Sequence, residues 1–138
     1  MKKIIVSQRS EYFKNISEYR DTLDQNFAKL LISINALTYP IPSNLHVKKE
    51  LKNIYNLELV FNWLKYISPD GIILSGGEDL GKNVNRDLTE KMLIKFSIKN
   101  KLPLLGICRG MQLLSVQYGC KLIKSKNHAG VRHKIYGK

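Results

Sequence analysis

Apolar positions along this chain switch between a period of two and a period of three to four, and the switching predicts strands and helices in turn. Lys3 to Ser7 (KIIVS) is a short β-branched run. Asp21 to Asn35 then places Leu23, Phe27, Leu30, Leu31 and Ile34 on one helical face, and Leu37 to Ile41 is a second extended run ended by proline. These three segments make one β-α-β step. Val47 to Ile67 shows helical spacing through Leu51, Ile54, Leu59 and Leu64, interrupted near Asn56, and leads into a strand over Gly71 to Ser75. Arg86 to Asn100 opens with Asp87 and Glu90 and closes with Lys99 and Asn100, the charge order that a helix dipole favours. Pro103 opens a last strand. Leu102 to Tyr118 (LPLLGICRGMQLLSVQY) runs from it through a glycine-flanked cysteine into an amphipathic helix that opens at Arg109 and is capped by Gly119. Strands alternating with helices predict a mostly parallel sheet covered on both faces, with chemistry at the carboxyl ends of its strands.

The step from strand to helix at Cys108 forces a tight bend, and Gly106 and Gly110 remove the side chains that would clash there. A sulfur held at that bend projects over the end of the strand, where unpaired helix N–H groups and the macrodipole favour negative charge. Those conditions suit a thiolate nucleophile. The same N–H groups, that of Arg109 in particular, are placed to donate to an oxyanion formed when a thiolate attacks a carbonyl. An isolated cysteine in such a turn is ordinarily a small core residue, and the Gly-x-Cys-x-Gly frame tips the reading toward a nucleophile.

GICRGMQLL resembles the nucleophile elbow of class I glutamine amidotransferases, most closely the gamma-glutamyl hydrolase branch, peptidase C26. Asp70 to Leu80 (DGIILSGGEDL) is similar to that family's strand and double-glycine loop, and Asn85 to Leu93 (NRDLTEKML) resembles the Arg-Asp-x-x-Glu helix start of the C26 branch. Arg20 to Asn44 resembles members acting in bacterial surface-sugar pathways, among them hydrolases that remove glutamate from a gamma-glutamyl CDP-amidate. The resemblance implies a flavodoxin-like three-layer α/β/α fold with a mostly parallel sheet. It also implies roles: Cys108 as nucleophile, the Gly77 and Arg109 N–H groups as oxyanion hole, and Gly76 and Gln112 as substrate-binding residues. Gln112 lies one helical turn beyond Cys108 on the same face, where a solvated helix residue is the alternative reading. Glu78 and Asp79 are candidates for contact with a substrate amine, in a loop whose polarity is otherwise ordinary.

The activity so implied is hydrolysis of a gamma-glutamyl amide: Cys108 attacks, a glutamyl thioester forms, and water releases glutamate. A cysteine amidase also needs a base and a group to orient it. In the family these come from a His-x-Glu motif well beyond the elbow. None occurs here, since His128 is followed by Ala129 and Gly130, and His133 by Lys134 and Ile135. The fold is therefore expected to be C-terminally incomplete, with HAGVRHKI leading toward a further strand, and a missing segment or a second chain is expected to complete the site. Two alternatives stand beside the hydrolase: a glutaminase subunit delivering ammonia to a synthase, and a catalytically dead truncated form acting as a binding or regulatory protein.

A length of 138 residues suits one domain, residues 1–138. The chain has no repeat, no low-complexity tract, no signal peptide and no apolar run near the ~20 residues of a membrane span, so a cytoplasmic location and no membrane contact are expected. Two unpaired cysteines fit a reducing compartment, with Cys120 expected to be a buried structural residue. His128 and His133 lack companions that would complete a ligand set, so neither a metal nor another cofactor is expected. All eleven acidic residues lie at or before Glu90, and the remaining 48 positions hold eleven Lys and Arg, so nearly the whole net charge of +12 falls there. Lys121, Lys124, Lys126, Arg132 and Lys134 would on one reading contact phosphates of a nucleotide-linked substrate or nucleic acid. No interleaved aromatics or recognition helix accompany them, which disfavours nucleic acid. The simpler reading is that an acidic partner segment is absent. The expected partner is a small-molecule gamma-glutamyl substrate.

Overall fold

The computed structural model describes residues 1–45, 47–49, 54–56, 58–124, 134 and 136. In chain order the elements are β1 (Lys2–Ser7), β2 (Arg9–Phe13), β3 (Glu18–Thr22), α1 (Asn26–Ser33), β4 (Ala36–Ile41), β5 (Val47–Lys49), β6 (Ile54–Asn56), α2 (Glu58–Ile67), β7 (Gly71–Leu74), α3 (Val84–Asn100), β8 (Leu104–Gly106) and α4 (Arg109–Gln117). Four strands pair in parallel in the order β4-β1-β7-β8, with Ile5 opposite both Tyr39 and Ile72, and Ile72 opposite Leu104. Numbered along the sheet's own strands this is 2-1-3-4, a flavodoxin-like winding whose direction reverses between β1 and β7. Ligands of such sheets bind outside the carboxyl ends at that reversal.

Alternation along each strand sorts its side chains into two apolar layers. Ile5, Ile72 and Leu74 pack with Val60 and Leu64 of α2, Leu93 and Phe96 of α3, and Leu113 of α4. Val6 and Ile73 point the other way and pack with Phe27 and Leu31 of α1. The result is the parallel sheet covered on both faces that the alternation of elements predicts, in the flavodoxin-like three-layer α/β/α arrangement that the resemblance implies. Pro40 sits inside β4, which an edge strand tolerates because one side of its backbone needs no ladder partner.

Two segments differ from the sequence reading. The helix expected over Val47 to Ile67 begins only at Glu58. Ahead of it, β5 and β6 pair antiparallel, Val47 opposite Asn56 and Lys49 opposite Ile54. The apolar spacing there matches a helix, but β-branched Val47 and Ile54 and aromatic Tyr55 favour extended backbone. Spacing becomes decisive only where Val60 and Leu64 meet the core. The second difference lies at Arg9 to Thr22, where β2 and β3 form an antiparallel hairpin, Tyr12 opposite Tyr19, so that α1 starts at Asn26 rather than Asp21. Its stabilisation comes from cross-strand pairs rather than a buried face: the Tyr12 and Tyr19 rings lie 4.7 Å apart and the Arg20 guanidinium sits 4.9 Å above Phe13. Asp24 then accepts a bond from the Asn26 N–H at 2.9 Å, turning the chain into the helix.

Of the helices that flank the candidate site, α3 starts at Val84, two residues ahead of the expected Arg86, and α4 ends at the expected Gly119 cap. Asn83 accepts a bond from the Arg86 N–H at 3.1 Å and opens α3, and Lys101 closes it with φ 54°. At the end of α4 the Gly119 N–H bonds to the Val116 carbonyl and the Cys120 N–H to the Ser115 carbonyl, a Schellman pair centred on Gly119. Cys120 itself is exposed, contrary to the buried position expected for it, because it follows the helix cap and packs in neither core cluster.

Leu93 is fully buried between α3 and the sheet. Leu93→Ala should lower unfolding free energy by about 2–5 kcal/mol in chemical denaturation, whereas Ile98→Ala, at an exposed position of the same helix, should shift it by less than ~0.5 kcal/mol. At the opposite end of the sheet the Asp70 carboxyl is held below the usual carboxylate range, first by the Lys3 N–H at 2.8 Å and then by the Lys2 ammonium at 2.9 Å. A depressed carboxyl contributes fully above its unfolded value near 4 and loses that contribution as pH falls through the depressed value. Asp70→Asn should therefore flatten the acid side of the stability-against-pH curve, below about pH 4, and leave the slope of that curve unchanged at neutral pH.

Candidate functional site

Three strands deliver their carboxyl ends to one edge: β1 ends at Ser7, β7 runs into Ser75-Gly76-Gly77, and β8 runs through Ile107 into Cys108. Cys108 has φ 52° and ψ −109°, a conformation that costs a residue with a side chain on the order of 1–3 kcal/mol. Its neighbours impose it. The Ile107 N–H bonds to the Leu74 carbonyl at 2.9 Å, the Gly110 N–H to the Ile107 carbonyl at 2.9 Å, and the Gln112 N–H to the Cys108 carbonyl at 3.1 Å. A methyl group on Gly110 would collide with the Leu74 carbonyl, so only glycine lets the start of α4 approach β7 this closely. Cys108 is exposed at the top of this turn, and Arg109 stands at the first helical position, where backbone N–H groups have no intrahelical acceptor.

The double-glycine loop lies against the cysteine. A Cβ built on Gly76 would stand 3.5 Å from the Cys108 Cβ, ordinary contact distance. Gly77 adopts φ 149°, and a side chain there would strike the Arg86 guanidinium. Gly76, Gly77, Cys108 and the first turn of α4 are thus brought to one place. Gln112 is half-buried one turn further on.

Beneath this surface lies a cluster of buried ions, set on α3. Glu90 is fully buried and accepts bonds from the Ser7 hydroxyl at 2.7 Å, from Arg86 Nε at 3.0 Å and from the Arg109 guanidinium. Arg86 Nη2 donates to the Ser75 and Gly76 carbonyls at 2.9 and 3.0 Å, and its Nη1 to Glu78 at 2.7 Å. Arg109 also pairs with Asp87, whose other oxygen accepts from the Gly81 N–H at 2.9 Å. The Ser75 N–H closes the circuit on the Ser7 hydroxyl at 2.9 Å. One carboxylate therefore ties the ends of β1 and β7 to the residue that follows Cys108. The Arg109 side chain is committed to Glu90 and Asp87, which leaves its backbone N–H as what it offers at the turn. Glu78 likewise spends one oxygen on Arg86, while its other oxygen is buried without a hydrogen-bond partner among the described residues.

Other sequence candidates fall elsewhere. Asp79 is exposed, and its carbonyl accepts from the Lys82 N–H. Lys121, Lys124 and Lys134 are exposed, whereas Lys126, His128, Arg132 and His133 lie outside the described residues. Among the described residues no helix is long and apolar enough to cross a membrane.

Residues 15–138 match the class-I glutamine amidotransferase family. The chain belongs to that family. A gamma-glutamyl-CDP-amidate hydrolase of Campylobacter jejuni is 38% identical over 85 residues, which cover 57% of this chain and 42% of that protein. A glutamine-hydrolysing GMP synthase subunit of Methanococcus vannielii is 40% identical over 68 residues, 49% of this chain and 32% of that one. The carbamoyl phosphate synthase small chain of Wigglesworthia glossinidia brevipalpis is 28% identical over 141 residues, covering 97% of this chain and 32% of its own. The matched stretches span less than half the length of each of these relatives.

In this chain Arg86 and Glu90, which the sequence reading places simply at the start of a helix, are buried. A signal for that burial is present in the chain: Arg86, Glu90, Leu93 and Ser97 recur at steps of three and four, and all four are buried. Two opposite charges on an apolar stripe are the pattern of an internal ion pair. Removing one partner of such a pair strands the other charge. Glu90→Gln should cost about 3–5 kcal/mol of unfolding free energy in chemical denaturation, and a loss below ~1 kcal/mol would show these ions to be solvated.

Proposed function

We propose that this class-I glutamine amidotransferase hydrolyses gamma-glutamyl amides, with Cys108 as the nucleophile of a nucleophile elbow in a single amidotransferase-like domain over residues 1–138. The observation that carries the reading is the turn itself: a cysteine in a strained conformation, exposed between a parallel strand and a helix N-terminus, with a double-glycine loop in contact. The thiolate attacks the amide carbonyl carbon, the carbonyl oxygen takes the negative charge and rests on the Gly77 and Arg109 N–H groups, and the amine departs with a proton to leave a glutamyl thioester. Water then cleaves the thioester, releasing glutamate and restoring the thiol. Gly76 and Gln112 hold the glutamyl part. The base that moves these protons is taken to lie outside these 138 residues, on a further stretch of polypeptide or on a second chain. Nothing in the sequence calls for a cofactor, and a cytoplasmic setting fits the two free thiols.

The likeness to the Campylobacter protein supports a nucleotide-linked leaving group, as in a gamma-glutamyl CDP-amidate of surface-polysaccharide synthesis. The likeness to two synthase components supports a second reading, in which the released amine is ammonia passed to a partner enzyme. Turnover of the native protein on a gamma-glutamyl anilide, on glutamine and on a gamma-glutamyl CDP-amidate separates the two. Cys108→Ala should lower the rate on the preferred substrate about a thousandfold or more. Retention of activity by that variant would remove the cysteine from the mechanism.

A further inference from the structure

Among the described residues three arginines reach the strand ends, and they differ in what they are bonded to. Arg86 and Arg109 are 1% exposed and held by Glu78, Asp87 and Glu90. Arg9, which opens β2 directly beyond β1, is more than half exposed, and its ion-pair partner among the described residues is Glu11, at a loose 3.8 Å. Yet Arg9 is not simply a surface residue. Its Cγ lies 3.2 Å from the point a Gly77 Cβ would occupy, so its stem packs on the double-glycine loop. It also lines a cavity of about 480 Å³, together with Thr22, Phe27, Ser75, Gly76 and Ile107. Gly76 and Ile107 are the two residues that bring this cavity to Cys108, one by contact and the other by chain.

The cavity opens at the reversal between β1 and β7, where a sheet of this winding receives its ligand. Phe27 and Ile107 give its lining apolar surface, and Arg9 gives it a guanidinium with spare donors. A guanidinium fork matches the geometry of a carboxylate or phosphate. Asp24 also lines the cavity, but one of its oxygens is occupied by the Asn26 N–H.

We propose that Arg9 forms an anion subsite of the Cys108 centre, receiving a carboxylate or phosphate group of the substrate within this cavity. The inference rests on the reading of Cys108 as the nucleophile and adds to it the residue that selects for negative charge. Substrates carrying an anionic group within reach of the scissile amide are then bound in preference to neutral ones.

Alkylation tests this without requiring turnover. In the native protein, rates of carboxymethylation by iodoacetate, an anion, and of carbamidomethylation by iodoacetamide, its neutral counterpart, are measured separately at Cys108 and Cys120 by peptide mapping. The ratio of the anionic to the neutral rate at Cys108 should fall about threefold to fivefold in Arg9→Gln, recover in Arg9→Lys, and stay constant at Cys120. An unchanged ratio at Cys108 in Arg9→Gln overturns the subsite. Failure of the nucleophile reading shows up separately, as wild-type Cys108 reacting no faster than Cys120 with iodoacetamide. Protection of Cys108 from iodoacetamide distinguishes the two anions. Glutamate protecting in an Arg9-dependent way assigns a carboxylate, cytidine diphosphate doing so assigns a phosphate, and protection by either that survives Arg9→Gln contradicts the proposal.

Discussion

Glu90 is the pivot of this structure. A carboxylate with no exposure to water survives only if its charge is met, and here two guanidinium groups and a serine hydroxyl meet it. Each partner belongs to a different part of the fold: Ser7 ends β1, Arg86 sits one turn earlier on α3 and reaches the β7 loop, and Arg109 opens α4. Satisfying one buried charge thus fixes the relative positions of the elements from which the candidate site is assembled. A buried network of this kind adds little net stability over an apolar core, but it admits few arrangements.

That rigidity bears on the cysteine. Cys108 occupies a backbone conformation that a side chain disfavours, and such strain persists only where the surroundings over-determine it. Here the surroundings do so from both sides. The close approach of Gly110 to Leu74 holds the turn from above the sheet, and the Arg109 side chain, drawn to Glu90 and Asp87, anchors it from below. Arg86 does the same for the opposing loop through the Ser75 and Gly76 carbonyls. The two backbone N–H groups proposed to receive an oxyanion are therefore set by arginines that never need to touch a substrate. Among the described residues Arg9 is left as the guanidinium at this edge with an exposed head.

Much of this is legible in the sequence because it is local. The parallel strands β1 and β7 are β-branched runs, the turn at Cys108 is written in Gly106 and Gly110, and the end of α4 in Gly119. What escapes is what the spacing of apolar positions does not encode. The β2–β3 hairpin has no apolar face to read, since its stability lies in the Tyr12–Tyr19 and Phe13–Arg20 pairs across it. The β5–β6 pair carries apolar residues at helical spacing, and only the extended preference of Val47, Ile54 and Tyr55 argues otherwise. The buried ions escape for another reason, that their partners lie far away in the chain. The spacing of Arg86, Glu90 and Leu93 marks an internal pair, but only the fold brings Ser7, 83 positions away, and Arg109, 19 positions away, onto the same carboxylate.

The central claim is that Cys108 forms a covalent bond to a gamma-glutamyl group. The most direct test is to quench the native protein with acid during turnover of a gamma-glutamyl amide and to locate any acyl group by mass spectrometry of its peptides. A glutamyl thioester on Cys108 that disappears as substrate is exhausted is the predicted result. Turnover with no adduct at Cys108, or with one at another residue, would contradict the account.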